Sequence, residues 1–443
     1  MTEKYKLFCH DYITFLSDLQ PFLGDLQAKN FADLSGMPAP SCKLNNQLYK
    51  FSDYLYKYKS QPLCYNKSES KNNLQHEILK NGGFSMTEQK VFKNVSVNGS
   101  LTDIVAADGK ITQIGKTSLP GTDFHGLRCY AGLIDIHTHG CAGVDTMDGT
   151  LEELARFQAK SGVTAFLPTS MTADRQKLTN LFNRKLPTDC GAQILGFHME
   201  GPYIDPKFQG AQNGRFIRLP DIEEFQSYEN IAMVTIAPEL DGAMEFIRES
   251  KAVVCIGHTG ADYETTLAAA DAGAACLTHT FNAMPPLHHR KPAVLGAAFD
   301  KNMYVQLICD GIHVHPTVVR MLYRLFGSDR VVLISDSMRA TGLPDGEYEF
   351  GALNITVKDK IARTPNGALA GSTSTLLDCV KCAIRFGIPE AEAFKMASET
   401  PAKLMGLNKG MIQPGYDCDL LILDEDNQVH SVIIGGNLVD INQ

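Results

Sequence analysis

Over residues 131–345 the chain repeats one unit eight times: a short apolar, β-branched run ending in polar residues, then a longer helix-like segment. The runs occupy 133–139, 162–169, 194–200, 233–238, 252–258, 274–279, 304–310 and 331–336. A strand that is apolar along its whole length needs cover on both faces, and helices between parallel strands supply that cover. Eight such units predict an α/β fold, a closed (β/α)8 TIM barrel. An open doubly wound sheet is the rival. It is disfavoured because no Gly-rich phosphate fingerprint follows the first run, and because polar residues end most runs instead of gathering at one switch point.

The flanking segments have a different pattern. Residues 86–130 and 416–443 read as short alternating strands with turns at Asn98-Gly99, Asp108-Gly109 and Gly435-Gly436. Neither segment can build a core alone, so the two are predicted to meet in one small β-sandwich domain, with 346–365 as further strands. Residues 366–415 are predicted to be helices packed on the barrel, over 376–386 and 390–405. Residues 1–85 are rich in Tyr, Lys and Asn and carry no assignable motif. They precede a second plausible start at Met86, and residues 82–86 could be the translation of a purine-rich bacterial ribosome-binding site. A mis-called start and a helical accessory segment both remain open for this extension.

With 443 residues, 44% of them hydrophobic, the chain can bury a large core. A formal net charge of −9 argues against nucleic acid or an anionic membrane as partner and favours a small soluble substrate. The twelve cysteines are diluted through the chain, and several, such as Cys255, Cys276 and Cys309, sit in apolar runs. They read as reduced core residues. The first residues carry no signal-peptide h-region and no apolar stretch is long enough for a membrane span, so the chain is expected in the cytoplasm.

The chemistry lies at the ends of the runs. His137 and His139 close the first in Asp135-Ile-His-Thr-His. Residues two apart in a strand share a face, so both imidazoles can reach one ion. The third run ends in His198-Met-Glu200-Gly-Pro, the fifth and sixth at His258 and His279, and the eighth at Asp336. Such barrels carry their active sites at this end of the strands. A mixture rich in imidazole with few carboxylates suits Zn2+ or Fe2+ better than Mg2+ or Ca2+.

These residues, with Ile256-Gly-His-Thr, Thr278-His-Thr-Phe-Asn-Ala-Met, Asp310-Gly-Ile-His and Ile334-Ser-Asp-Ser, resemble the amidohydrolase superfamily. More narrowly, the combination of Glu200-Gly-Pro with Phe281-Asn-Ala-Met-Pro is similar to its N-acetylglucosamine-6-phosphate deacetylases, over residues 88–443. The resemblance implies release of acetate from N-acetyl-D-glucosamine 6-phosphate in amino-sugar catabolism and cell-wall sugar recycling. The galactosamine epimer is the alternative substrate, and a non-catalytic sugar-phosphate-binding protein is the alternative class. Some relatives lack the first His of the HxH pair and hold one ion, whereas this chain keeps both and has room for one or two. Some carry His where Gln212 stands in Gln209-Gly-Ala-Gln. No lysine lies in 234–239, where dihydroorotase-like relatives bridge two ions with a carboxylated Lys.

Amide hydrolysis needs an ion that acidifies water and stabilises the tetrahedral oxyanion. Glu200, His258 and His279 are expected to hold one ion, and His137 and His139 to hold a second or orient the first. Asp336 is expected to take the proton of the attacking water and pass it to the amine. The resemblance implies that Asn282 and Ala283 bind phosphate or sugar hydroxyls, and that Arg290 binds the phosphate across a homodimer interface with its planar fork. His313 and Gln212 are expected to contact the sugar or the acyl oxygen. Cys379 and Cys382 lie inside a predicted helix and read as packing; 371–375 read as that helix's cap and a possible edge of the pocket.

Overall fold

The computed structural model describes residues 89–351 and 353–440; the expectations for residues 1–85 lie outside the described residues. Each of the eight apolar runs contains a parallel strand. Six of them pair in sequence order in one sheet: Phe197–Glu200, Ile231–Ile236, Val253–Ile256, Cys276–Leu277, Tyr304–Ile308 and Val331–Ile334. The other two, Leu133–Thr138 and Val163–Pro168, pair with each other in a second sheet that ends on Gln193–Ile194. Parallel bridges Thr169–His198 and Thr138–Ser337 join the second sheet to both margins of the first. Every residue of Leu133–Thr138 and Val163–Pro168 is buried, as strands covered on both faces require.

A helix follows each of these strands. The helix Leu151–Lys160 shows why: Leu151, Leu154, Ala155, Gln158 and Ala159 form one buried stripe, with Glu152 and Glu153 in the first turn and Lys160 in the last. The helix Leu376–Arg385 opens with a capping box between Thr375 and Asp378, so the Ser/Thr-rich turn before it acts as a cap. Cys379 and Cys382 are buried in it as free thiols. The single helix expected over 390–405 is two, Glu390–Met396 and Glu399–Leu404. Pro401 has no N–H to donate and is tolerated only in a first turn, so a new helix starts just before it.

Segments from both ends of the described chain build one eight-stranded sheet. Leu420–Leu423 pairs antiparallel with Arg128–Ala131, and Lys90–Val97 pairs with Ser100–Ala107 across the Asn98-Gly99 turn. Asn98 and Gly99 take φ of 50° and 77°, the left-handed pair that such a two-residue turn demands. This sheet has its own apolar core, including Phe92, Ile104, Phe124, Leu420 and Ile433.

The strands within 346–365 depart from expectation. They form a separate three-stranded antiparallel sheet, Gly346–Phe350, Leu353–Lys358 and Ile361–Arg363, which does not pair with the small sheet. Their buried residues Phe350, Ile355, Val357 and Ala362 pack on the main core instead. Alternation marks a strand as half-buried without telling which core its apolar side covers.

Candidate metal centre

Glu200 is the last residue of its strand, whereas His258, His279 and Asp336 each stand just past the end of theirs. These three take left-handed backbone, with φ of 47°, 26° and 47°, as do Phe281 and Ala283. Such conformations cost about 1–3 kcal/mol each in a non-glycine residue and persist only where the surroundings impose them. Their concentration at the strand exits marks one place in the fold where side-chain direction takes precedence over backbone comfort.

The side chains converge. Nε2 of His279 lies 3.0 Å from Nε2 of His258 and 3.0 Å from Oε1 of Glu200, and His258 Nε2 is 3.3 Å from that oxygen. On the other side, Nε2 of His137 and His139 are 3.3 Å apart, His137 is 3.4 Å from Glu200 Oε1, and His139 is 3.3 Å from Oε2. His137, His139 and Glu200 form one group able to hold an ion, and Glu200, His258 and His279 another, all buried. Asp336 Oδ1 borders the first group, 3.4 Å from His137 Nε2 and 3.3 Å from His139 Nε2.

Hydrogen bonds on the far side of the rings decide what these atoms offer. His139 Nδ1 is 3.2 Å from the Thr169 carbonyl and His258 Nδ1 is 2.8 Å from the Phe208 carbonyl. A carbonyl only accepts, so Nδ1 carries the hydrogen and Nε2 presents its lone pair inward. His137 Nδ1 donates in the same way to Gln306 Oε1 at 3.1 Å, and that oxygen also accepts the His279 N–H. Lone pairs facing one another at such distances repel unless a cation lies among them. The separations also match the ~3.3 Å edge expected of nitrogen ligands about 2.0–2.1 Å from one tetrahedral ion. The donor set therefore fits a divalent metal.

Burial opposes ionisation of Glu200, but positive charge gathered among His137, His258 and His139 around it holds its carboxyl well below the usual carboxylate range. Burial likewise works against Asp336, and His137 and His139 outweigh it, so its carboxyl also stays lowered. Asp135, beneath the site, is pushed up to about 6 by burial, against hydrogen bonds from Ser335 and His137.

A cavity of about 260 Å³ opens over these groups, and His139, Glu200, His258, His279 and Asp336 line it together with Gln212, Asn282, Ala283 and His313. His137 is fully buried beneath. Phe350, from the separate three-stranded sheet, also lines the cavity, its ring edge-on to His139 at 5.2 Å. His313 holds Asp310 Oδ2 at 2.7 Å through Nδ1, which leaves Nε2 for a ligand. Burial opposes the charge of that imidazole, but the Asp310 carboxylate raises its pKa above the ordinary value. Asn282 donates its amide to the His279 carbonyl at 3.1 Å. Gln212 is engaged with Glu200 and the Thr172 N–H.

Arg290 is the candidate that the chain does not bring to the cavity. It is exposed, in a tight turn where His288 and Lys291 pair, with Nη1 2.6 Å from His289 Nε2. Residues that orient the histidines of the metal centre carry little signal in the sequence. Gln306, a polar residue inside the apolar run Tyr304–Ile308, carried the one available signal; the carbonyls of Thr169 and Phe208 carried none.

Residues 129–439 match the model of the amidohydrolase family. The chain is 37% identical to N-acetylglucosamine-6-phosphate deacetylase of Bacillus subtilis (strain 168) over 382 residues, 81% of this chain and 96% of that protein. It is 36% identical to N-acetylgalactosamine-6-phosphate deacetylase of Escherichia coli O157:H7 over 352 residues, 75% of this chain and 93% of that one. Among solved structures, N-acetylglucosamine-6-phosphate deacetylase of Thermotoga maritima superposes with a TM-score of 0.74 at 31% identity, covering 79% of this chain and 99% of that one. A mutant of the Mycobacterium smegmatis deacetylase in complex with N-acetyl-D-glucosamine-6-phosphate gives a TM-score of 0.73 at 30% identity, over 80% and 99%. With the family model matched over most of its length and these relatives, the chain belongs to the amidohydrolase family.

Proposed function

We propose that this chain hydrolyses N-acetyl-D-glucosamine 6-phosphate to D-glucosamine 6-phosphate and acetate. The observation that carries the reading is Glu200, shared at the cavity floor by two imidazole pairs with Asp336 at their edge. Relatives named for this reaction support it. Glu200, His258 and His279 would hold a divalent ion, and His137 and His139 would hold a second or orient the first; such an ion would supply the Lewis acidity that an amide carbonyl needs, and the nitrogen-rich donor set favours Zn2+ or Fe2+.

The remaining steps belong to the protein. Asp336, ionised and beside the cavity, accepts the proton of the water that attacks the acetyl carbon. As the C–N bond breaks it returns that proton to the departing amine, leaving acetate and the amino sugar. His313, fixed by Asp310, offers Nε2 to the acyl or sugar oxygen. Asn282 and Ala283 line the sugar side of the cavity. Arg290, exposed in its own subunit, binds the phosphate of a neighbouring site in a homodimer, where its fork matches the phosphate oxygens. The two bridges between the parallel sheets support closure of the eight strands into a (β/α)8 barrel, with the eight-stranded sheet folding as a small β-sandwich. No helix among the described residues is long and apolar enough to cross a membrane, and a charged sugar phosphate is a substrate of the cytoplasm.

The galactosamine epimer is the second reading, favoured by the relative from Escherichia coli O157:H7. One hydroxyl separates the two, and a buried hydrogen bond to it can discriminate strongly. The test is acetate release by the metal-loaded protein from both epimers, each with and without phosphate. Release from neither phosphorylated sugar rejects the enzyme and favours a sugar-phosphate-binding protein; faster release from the galactosamine ester replaces the substrate and keeps the chemistry.

A further inference from the structure

We propose that Gln212 is a positioning residue that holds Glu200 as a bridge, keeping Oε2 toward His139 while Oε1 faces His258 and His279. The inference deepens the metal-dependent reading above and rests on it. Gln212 is buried, and its Nε2 donates to Glu200 Oε2 at 2.7 Å. Its Oε1 accepts the backbone N–H of Thr172 at 2.6 Å. An N–H only donates, so the orientation of the amide is fixed: oxygen toward Thr172 and nitrogen toward Glu200.

That contact sets the tilt of the carboxylate. Oε1 faces His279 and His258 at 3.0 and 3.3 Å and His137 at 3.4 Å, whereas Oε2 faces His139 at 3.3 Å. The last torsion of a glutamate is soft and two-fold, so an untethered Glu200 can swing both oxygens onto the His258 and His279 side and desert the other pair. The amide hydrogen on Oε2 removes this freedom and leaves the oxygen's second lone pair for an ion at His137 and His139. The loop that carries Gln212 is itself anchored, by Arg218 N–H to the Pro202 carbonyl and by Gln212 N–H to the Gln209 carbonyl. The same loop supplies the Phe208 carbonyl that orients His258. Hence the side chain expected to meet substrate acts on the metal ligand instead, and its loss falls on the second ion.

The test strips the full-length protein of metal with a chelator and titrates it with Zn2+, counting ions by elemental analysis and affinities by competition with a chromophoric chelator. Wild type is expected to take two ions. Gln212→Met, which keeps the length of the side chain and removes its hydrogen bonds, is expected to keep the first ion and bind the second about 10- to 100-fold more weakly. His139→Ala attacks the same group from the other side and must give the same one-ion titration, so the comparison survives poor folding of one variant. Two unchanged affinities in Gln212→Met with a raised KM overturn the proposal in favour of substrate contact. Equal weakening of both ions overturns it in favour of general structural damage, and a single ion in wild type removes the bridge. No ion in wild type overturns the metal-dependent reading itself.

Discussion

Nε2 of His258 and Nε2 of His279 face each other at 3.0 Å, from strands that are neighbours in the parallel sheet. With His258 Nδ1 committed to a carbonyl, two ring nitrogens at this distance are stable only when a cation or a proton lies between them. Glu200→Ala, His258→Ala and His279→Ala are therefore expected to lose tightly bound metal and activity together, by more than the ~10- to 100-fold typical of changes outside the ligand set. His137→Ala or His139→Ala should change stoichiometry or rate. Elemental analysis beside the acetate assay checks this, and full metal retention in Glu200→Ala would contradict the assignment.

Asp336 contacts His137 and His139 but lies outside the group formed by Glu200, His258 and His279. Asp336→Asn preserves the shape and removes the proton acceptor. A fall in kcat of about 10²- to 10⁴-fold is expected, with little change in KM and with the first ion retained. A loss of both ions in this variant would make the aspartate a ligand only.

His137 and His139, two apart in the first run, share a face, but as a candidate ion pair they gained weight only from Glu200, His258, His279 and Asp336 at the other strand ends. Glu200, His258, His279 and Asp336 were legible as strand ends once the eightfold rhythm was seen. Gln306 and the Phe208 carbonyl were not, because they meet their histidines across 169 and 50 residues of chain and no local pattern encodes such a meeting. The 346–365 strands show the same limit. Their alternation was plain, but the choice of the main core over the small sheet depends on where Phe350 finds an apolar surface.

His313 and Asp310 make a pH prediction. The carboxylate 2.7 Å from Nδ1 favours the charged imidazole, so the His313 pKa lies above its ordinary value despite burial. If Nε2–H donates to the substrate, activity fails as pH rises through that raised pKa. Asp310→Asn removes the charge, and the alkaline limb of kcat/KM is expected to move to lower pH. An unmoved limb would free His313 from this role.

Acid stability should report a pair of segments in the small sheet. Asp103 accepts N–H bonds from Asn94 at 2.9 Å and Thr117 at 3.0 Å, with the Lys116 ammonium at 3.2 Å. The Asn94 bond leads in lowering its pKa from 3.8 to about 2, against burial. A lowered folded pKa means that the contribution is complete above the unfolded value and is lost as pH falls through the folded one. Asp103→Asn is expected to lower stability at neutral pH by about 1 kcal/mol, the shift being discounted for solvent screening, and the gap to wild type should close between about pH 4 and pH 2. Thermal melts across that range decide it; parallel curves would remove Asp103 from the acid transition.

Arg290 gives the last prediction, and its exposure gives it force. An exposed arginine in a tight turn contributes little to folding, so Arg290→Ala should leave the melting temperature and metal content unchanged. Its effect should appear only with a phosphorylated substrate. A charge fixed at the phosphate helps align the distant acetamide, and that binding energy is expressed in kcat/KM. Arg290→Ala is therefore expected to lower kcat/KM for N-acetylglucosamine 6-phosphate by about 10²-fold, the scale of a charge-assisted bidentate contact, while free N-acetylglucosamine changes little. If Arg290 is supplied across the proposed dimer interface, mixing Arg290→Ala with Asp336→Asn chains should restore activity: a mixed dimer would hold one site with an intact Asp336 and an intact Arg290 from the other chain. Failure of the mixture to regain activity, with dimers formed, would reject supply across the interface, and equal loss on both sugars would reject the phosphate contact.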